Sequence, residues 1–494
     1  MHNILRRVLI LFCLVLFLAG CSTVPVAPSQ LKYKEDAVLD HGSAKMLEKQ
    51  FVTEKSKTHD PVWSSLRNRK IDPVKQLTLA ELIDFGLGNN PATHQAWENS
   101  RAARARQRQA ESGFYPSVNV SETITREKNV SVNPASNLND RHYGPSANLT
   151  WLILDFGGRN ASVEEMIQGV ISADSTYNQA IQDLLLNVEE SYYQLYSAQA
   201  LEEAARDDVK NAKADFDAAT QRLNAGLVSK LDVLQAQSDY ENSLYQLESA
   251  KGGIKTAQAN LAQAIGVPAD THFQIARPSK NFPKSIDEEE ITLIIEDTLQ
   301  RRPDIVAARA DVKAKEAAVK SAHSAMLPTL NVGASADSNK YNYYGTSQVN
   351  NKDHSYAAFA SVNWDVFDGF YNLNKKIEAD RQLNMAQDTL AQKELAVSAD
   401  VWTKYYDFIT AANKLVYSET FLTTAGESYR LALESYNAGL KSILDLLQAQ
   451  SKLSDARSRF IQSNEDIFIA LVELAHAKGS LSNVTGGHNG KNKK

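Results

Sequence analysis

The chain has 494 residues, 53 Lys and Arg against 59 Asp and Glu, a net charge of −6, 13 Pro and two Cys. That balance excludes a general nucleic-acid binder, which would be basic, and two cysteines exclude a Cys-rich metal framework. Ala, Gln and Leu are frequent and Pro is scarce, which favours long helices over an all-β or disordered chain. Length alone, at about 150 residues per domain, would give roughly three domains, but an internal repeat overrides that prior.

Residues 1–20 read as a signal peptide: Arg6 and Arg7 precede the apolar run "VLILFCLVLFLAG", which is too short for a comfortable membrane span. Leu18-Ala19-Gly20-Cys21 resembles a bacterial lipobox, in which the cysteine sulfur takes a diacylglycerol. Cys21 is then the lipidation site and first mature residue, and the resemblance to lipoprotein signals implies that Ser22 is compatible with sorting to the outer membrane. The alternative is an ordinary cleaved signal with an incidental cysteine. Loss of the leader takes the charge to −6 − 2 = −8. No other run of 18 apolar residues occurs, so a membrane crossing by this chain requires β-strands. Residues 21–76 are polar, with Pro25, Pro28, Pro61 and Pro73, and read as a tether from lipid to body.

From Lys75 the pattern turns helical, broken at Asn90-Pro91. Here the repeat begins: Pro91 and Pro116 match Pro303 and Pro328 at an offset of 212, whereas Trp151, Asp155 and Gly226 match Trp364, Asp368 and Gly439 at 213. The two repeats are taken as 77–280 and 281–482, followed by a disordered tail, 483–494. Each carries two strand-like segments. Ala147, Leu149, Trp151 and Ile153 alternate with Ser146, Asn148 and Thr150, and the stretch from Tyr356 to Val366 repeats this. The partner segments Ser117 to Ile124 and Thr329 to Ala336 alternate more weakly, and Asn/Ser/Tyr-rich loops join them. If those segments are strands, Glu122 and Asp337 are expected to face water rather than lipid.

After each Trp strand a helical stretch runs without proline to "NAGL". Asn160 to Asn224 alone is about 100 Å of helix at 1.5 Å per residue. The returning arms hold a heptad, Val233, Tyr240, Leu247, Ile254, Leu261 and Leu446, Leu453, Phe460, Ile467, Leu474, with small residues such as Ala236 and Ala449 three places on. The fold class is α+β: long coiled-coil hairpins plus four membrane strands per protomer. Four strands cannot close a membrane barrel, which needs about eight, and open edges in lipid are excluded. Three copies give 3 × 4 = 12 strands in one barrel and 3 × 4 = 12 helices in a tunnel beneath it.

The chain resembles the TolC-type outer-membrane efflux family, the exit ducts of tripartite drug pumps and type I secretion systems, over roughly Leu77 to Leu481. The resemblance rests on the repeat, on Arg301-Arg302-Pro303-Asp304-Ile305, on the two Trp-to-Asp-Gly strand exits, and on the paired G-L-x-S-x-x-D turns at Gly226 and Gly439. It implies a lipid-anchored homotrimer of the outer membrane that reaches into the periplasm. Its partners there are a periplasmic adaptor protein and an inner-membrane pump or ABC exporter. In the first half Asn89-Asn90-Pro91 stands where the second has Arg301-Arg302-Pro303.

The same resemblance implies a periplasmic gate at Tyr436, Lys441, Asp445 and Gln448, where Gln448 replaces a carboxylate of the family pattern, with Asp232 as the first-half counterpart. It implies adaptor docking at the turns Gly226, Leu227, Val228, Ser229 and Gly439, Leu440, Ser442. Three Asp445 on a threefold axis would raise one another's pKa and attract cations, and Tyr436 and Lys441 would bond carboxylates of neighbouring helices. Residue types alone support a plainer reading: Ser229-x-x-Asp232 and Ser442-x-x-Asp445 fit a helix capping box. A cap and a gate are compatible. Trp151 and Trp364 suit a bilayer interface, or else burial between strands and helices. No P-loop, dinucleotide fingerprint or H-E-x-x-H occurs, and the ten His are scattered, so no enzyme activity, cofactor or metal is expected. A lipidated periplasmic adaptor, with a single hairpin, and a non-conducting structural spacer are the alternatives to a channel.

Overall fold

The computed structural model describes residues 75–129, 138–278, 291–344 and 350–480. The leader, Cys21, most of the tether, the expected boundary near residue 280 and the tail lie outside them. A short strand β1 (Gln76–Leu77) leads into α1 (Leu79–Asn89), α2 (Pro91–Glu111), β2 (Ser117–Asn129), β3 (Leu138–Leu154), α3 (Gly158–Asn224) and α4 (Lys230–Ala264). Beyond β4 (Gln274–Ile275) the order recurs: α5 (Ile291–Arg301), α6 (Pro303–Ser324), β5 (Thr329–Tyr344), β6 (Asn350–Asn363), α7 (Tyr371–Asn437) and α8 (Ile443–Ala477). Both long outgoing helices have 67 residues and both returning helices 35.

Local chemistry sets the element ends. Thr78 and Glu81 form a capping box at α1, and Pro91 and Pro303 occupy first helical positions, where a missing N–H costs nothing. Each strand exit supplies a carboxylate to the long helix that follows: Asp155 Oδ2 accepts from the Arg159 N–H at 2.6 Å, and Asp368 Oδ2 from that of Asn372 at 2.8 Å. In the first half Asn90 Nδ2 donates to the Ala264 carbonyl at the end of α4, at 3.0 Å. In the second, Arg302 Nη1 donates to the Ala477 carbonyl at the end of α8, also at 3.0 Å. The differing Asn-Pro and Arg-Pro sequences therefore do one job, tying the base of a short helix to the end of a returning one. Arg302 adds two carboxylates, Asp304 at 3.1 Å and Asp400 of α7 at 2.7 Å.

The four long strands form one antiparallel sheet in the order β2-β3-β5-β6. Above the equator the helices pack in the matching order α2-α3-α6-α7, and toward the tips as α4-α3-α8-α7. Each strand thus stands over the helix that precedes or follows it in sequence. Position in this row explains an asymmetry between identical heptads. On α8, packed between α3 and α7, Leu446, Leu453, Ile467 and Leu474 are buried, whereas on α4, packed chiefly against α3, Val233, Tyr240, Leu247 and Ile254 stay half-exposed and only Leu261 of the heptad is buried.

Directly opposed residues share a sheet face. Val118 and Val120 oppose Leu149 and Ala147, Leu149 and Trp151 oppose Ala334 and Val332, and those oppose Ala358 and Ala360, so one face is apolar. The other carries Asn119, Ser121, Asn148, Ser335 and Asp337. Asp337 lies on the polar face as expected, but Glu122 does not. Its register, opposite Pro145 and between Val120 and Ile124, puts it on the apolar face, because period two leaves no other choice once its neighbours are placed.

The strands also outrun their alternating patterns. β2 continues from Ile124 to Asn129 and β5 from Ala336 to Tyr344, through residues expected in loops. Ladder pairing with β3 and β6 satisfies that backbone whatever its side chains, so tertiary context overrides composition. Trp364, expected within a strand, falls one residue past the end of β6.

Candidate gate at the helical tips

Both hairpins turn through the same geometry. Gly226 and Gly439 adopt φ of 72° and 75°, the left-handed conformation that glycine takes without strain. Their N–H groups return to the carbonyls of Leu223 and Tyr436, and those of Leu227 and Leu440 to Arg222 and Ser435. The next helix starts in a capping box at both places. Asp232 N–H donates to Ser229 Oγ and Asp445 N–H to Ser442 Oγ, each at 3.3 Å, and the two carboxylates accept from the serine N–H groups at 2.8 and 3.1 Å. The capping reading of the two aspartates is met in full.

Asp445 stays exposed, with Lys441 Nζ at 3.8 Å. The Ser442 hydroxyl and N–H, and then Lys441, hold its carboxyl below the usual range. Within one protomer the effect is therefore opposite in sign to the mutual repulsion expected of a threefold ring. Gln448 is exposed beside it. The apolar side chains of the turns project outward: Leu227 is 67% and Leu440 78% exposed, followed one helical turn on by Leu231 and Leu444.

Tyr436 departs from expectation. Its side chain is 1% exposed, packed with Ala219, Ala236, Ile443 and Leu446, and its hydroxyl meets no partner among the described residues. It reaches no carboxylate in its own protomer because the ring is turned into this apolar cluster between the hairpins. What holds it instead is Arg222 of the first hairpin. The guanidinium carbon lies 4.7 Å over the ring, and Nη1 donates to the Tyr436 carbonyl.

Farther up the same four helices lies a polar block that the sequence did not single out: Asp208 and Asp215 on α3, Asp239 on α4, Tyr429 on α7, and Gln450, Ser454 and Arg457 on α8. Asp208 is held by Ser454 at 2.6 Å and Arg457 at 2.5 Å. Asp215 is fully buried, and burial, then the charge of Asp239, pushes its carboxyl up to about 7.

At the opposite end, Trp151 and Trp364 are 38% and 57% exposed, so neither is buried between strands and helices within the protomer. Each indole N–H is satisfied by a carbonyl at the foot of the adjoining strand, Trp151 by Phe114 at 2.9 Å and Trp364 by Met326 at 3.2 Å. Phe156, Phe367, Phe370 and Tyr371 add exposed rings at the same level. Among the described residues no helix is long and apolar enough to cross a membrane, and no cluster of side chains could hold a metal ion.

The outer membrane efflux protein family model matches residues 82–267 and 294–480. Over 418 residues the chain is 28% identical to Protein CyaE of Bordetella pertussis, covering 84% of this chain and 86% of that one. It is 24% identical to the outer membrane protein TolC of Vibrio cholerae, covering 82% and 91%. Among solved structures, the outer-membrane channel OprN superposes with a TM-score of 0.71 at 20% identity, covering 85% of this chain and 92% of that one. The Campylobacter jejuni CmeC channel gives 0.72 at 17%, covering 83% and 88%. The chain belongs to the outer membrane efflux protein family, the TolC-type exit channels that run from the outer membrane into the periplasm.

Proposed function

We propose that three copies of the chain close a continuous tube, a 12-stranded barrel in the outer membrane on a 12-helix tunnel in the periplasm, and that this tube is a passive exit duct gated at the hairpin tips. One observation carries the reading: the strand row β2-β3-β5-β6 matches the helix row α2-α3-α6-α7, and both rows end in edges without a neighbour among the described residues. A sheet with two open edges cannot lie in lipid. The flanking helices support closure between copies, since α7 exposes Leu395, Trp402, Val416 and Tyr417, and α4 exposes Leu231, Leu234 and Tyr245. The apolar sheet face meets lipid and the polar face lines the lumen, with the exposed aromatic rings at the periplasmic membrane interface.

In this reading Cys21 carries the lipid, and residues 77–280 and 281–482 are two copies of one unit, which the double match of the family model supports. The turns at Gly226 and Gly439 dock a periplasmic adaptor through their exposed leucines. An inner-membrane pump or ABC exporter supplies the energy. The test is the oligomeric state of the lipidated protein in detergent, together with its conductance in planar bilayers. A trimer that conducts is expected, and a non-conducting monomer overturns the proposal.

The gate has its own test. Asp445→Ala is expected to weaken block of the conductance by multivalent cations. Asp232→Ala should instead lower stability by about 1 kcal/mol, the worth of a cap, with cation block unchanged. Equal effects of the two would leave both aspartates as caps alone. Glu122 offers a check on the sheet faces. A carboxylate on the lipid side costs on the order of 1 kcal/mol, so Glu122→Leu is expected to raise the temperature at which the trimer dissociates on a gel, and a lowered temperature would place that face toward water.

A further inference from the structure

The row of helices beneath the sheet is covered on one side only. α5 lies off the row, packed on α7 and α6, and Arg309 of α6 reaches Gln300 of α5 at 3.3 Å and Glu394 of α7 at 3.2 Å. A second layer on the inner side would plug a duct, so the side of α6 that carries Arg309 is its outer side. Lys313 and Lys320 follow Arg309 at i+4 and i+11, on the same helix face, and with His323 they stand exposed.

Near the strand feet that face opens into a cleft of about 630 Å³ between α3 and α6, a volume within the range of ligand sites. Small residues shape it. A Cβ on Gly158 would lie 2.5 Å from Ser324 Oγ, so this glycine lets the first turn of α3 seat against the last turn of α6. Ala161 and Ala317, both buried, keep the two helices close and floor the cleft. Around them stand Phe156, Glu164, Lys320, His323 and Lys376. Phe156 follows β3 directly and is exposed. Lys320 precedes Met326, whose carbonyl holds the Trp364 indole, by 326 − 320 = 6 residues, about 9 Å of helix below the aromatic rings. Among the described residues Lys320 and His323 have no carboxylate partner, Lys376 has Asp380 at 3.0 Å, and Glu164 accepts from Gln168 at 2.8 Å.

We propose that this cleft binds the headgroup of a zwitterionic phospholipid of the periplasmic leaflet, its phosphodiester against Lys320 and Lys376 and its ammonium against Glu164 and the Phe156 ring. Lysines between helices beside an interfacial aromatic ring suit a phosphate at a membrane surface, and a carboxylate with a ring face suits an ammonium. The presence of both signs selects a zwitterionic headgroup over an anionic one, which Glu164 repels. The assignment rests on the membrane-duct reading above, which sets the level of the rings. The repeat gives the stoichiometry. Arg108 is equivalent to Lys320, but Gly369 and Ile377 stand where Phe156 and Glu164 do, so the equivalent place at the join between copies lacks the ring and the carboxylate. One headgroup is therefore expected per protomer.

The test takes the full lipidated chain in detergent, stripped of bound lipid, and titrates it with phosphatidylethanolamine or phosphatidylglycerol, read by native mass spectrometry. One phosphatidylethanolamine per protomer is expected, held about tenfold more tightly than phosphatidylglycerol. Lys320→Glu should weaken that binding about tenfold, and Glu164→Gln should remove the preference between the two lipids. Lys313→Glu, about 10 Å farther down the same face, should change neither. Glycerophosphoethanolamine, the headgroup without its chains, should not compete at equal concentration. Equal binding by the parent and Lys320→Glu overturns the site, as does an equal loss in Lys313→Glu. An undiminished preference in Glu164→Gln overturns the zwitterionic assignment, and competition by the free headgroup overturns the lipid. If the same preparation conducts as a trimer, those results leave the duct reading standing, whereas a non-conducting monomer removes that reading and the membrane level of the cleft with it.

Discussion

Replacing Arg302 by alanine is expected to destabilise the helical body by about 2–3 kcal/mol, the range for hydrogen bonds to charged groups whose partners are left behind. The side chain is only 12% exposed and joins three elements: Asp304 at the start of α6, Asp400 on α7 and the Ala477 carbonyl ending α8. Removal leaves Asp400 and a helix C-terminal carbonyl without their donor at the equator. The repeat supplies an internal control. Asn90 makes the corresponding bond to Ala264 with a neutral amide and no carboxylate, so Asn90→Ala should cost about 1 kcal/mol. Chemical denaturation of the purified protein in detergent, followed by helical circular dichroism, compares the two. Equal losses would reduce Arg302 to a cap and leave its carboxylates without energetic consequence. Arg302→Lys should fall between, because one ammonium cannot serve three acceptors in a planar fan.

The Arg302 and Asn90 pair also shows what the sequence could and could not disclose. Matching prolines placed the two residues at equivalent sites, so their location was legible, but a shared role for Asn and Arg was not, since it depends on where a distant helix ends. The long helices, their turns and the capping boxes were legible because each follows from local pattern: uninterrupted heptads, a glycine, and serine three residues before aspartate. Glu122 shows a related limit. Its charge suggested water, whereas the register set by Val118, Val120 and Ile124 put it among apolar residues. Tyr436 was identified by position within a family pattern, and the pattern does not say which way a ring turns.

The hairpin pair is expected to loosen as pH rises from about 4 to about 7, through Asp215. Its side chain is 0% exposed, and Oδ1 meets no partner among the described residues. On Oδ2 the Tyr429 hydroxyl reaches only 3.5 Å, and the Gln450 amide donates once turned nitrogen-first. Asp239 of α4 faces it from one side, and Asp208 of α3, satisfied by Ser454 and Arg457 of α8, lies beyond. Burial and then Asp239 push the Asp215 carboxyl up to about 7. A group whose pKa is raised by packing keeps a proton in the packed state that it loses in the separated state. The packed state is thus at full strength below about pH 4, loses strength up to about pH 7, and changes no further above it. At about 1.4 kcal/mol per pKa unit the loss is on the order of 4 kcal/mol. Asp215→Asn carries the neutral form at every pH. It should match the parent near about pH 4 and exceed it by that amount near about pH 8. Glu189, which burial also pushes up to about 7, adds a slope of the same sign. The parent and the variant share it, so the difference between their melting curves isolates Asp215, and parallel curves from acid to alkaline pH would exclude it as the source.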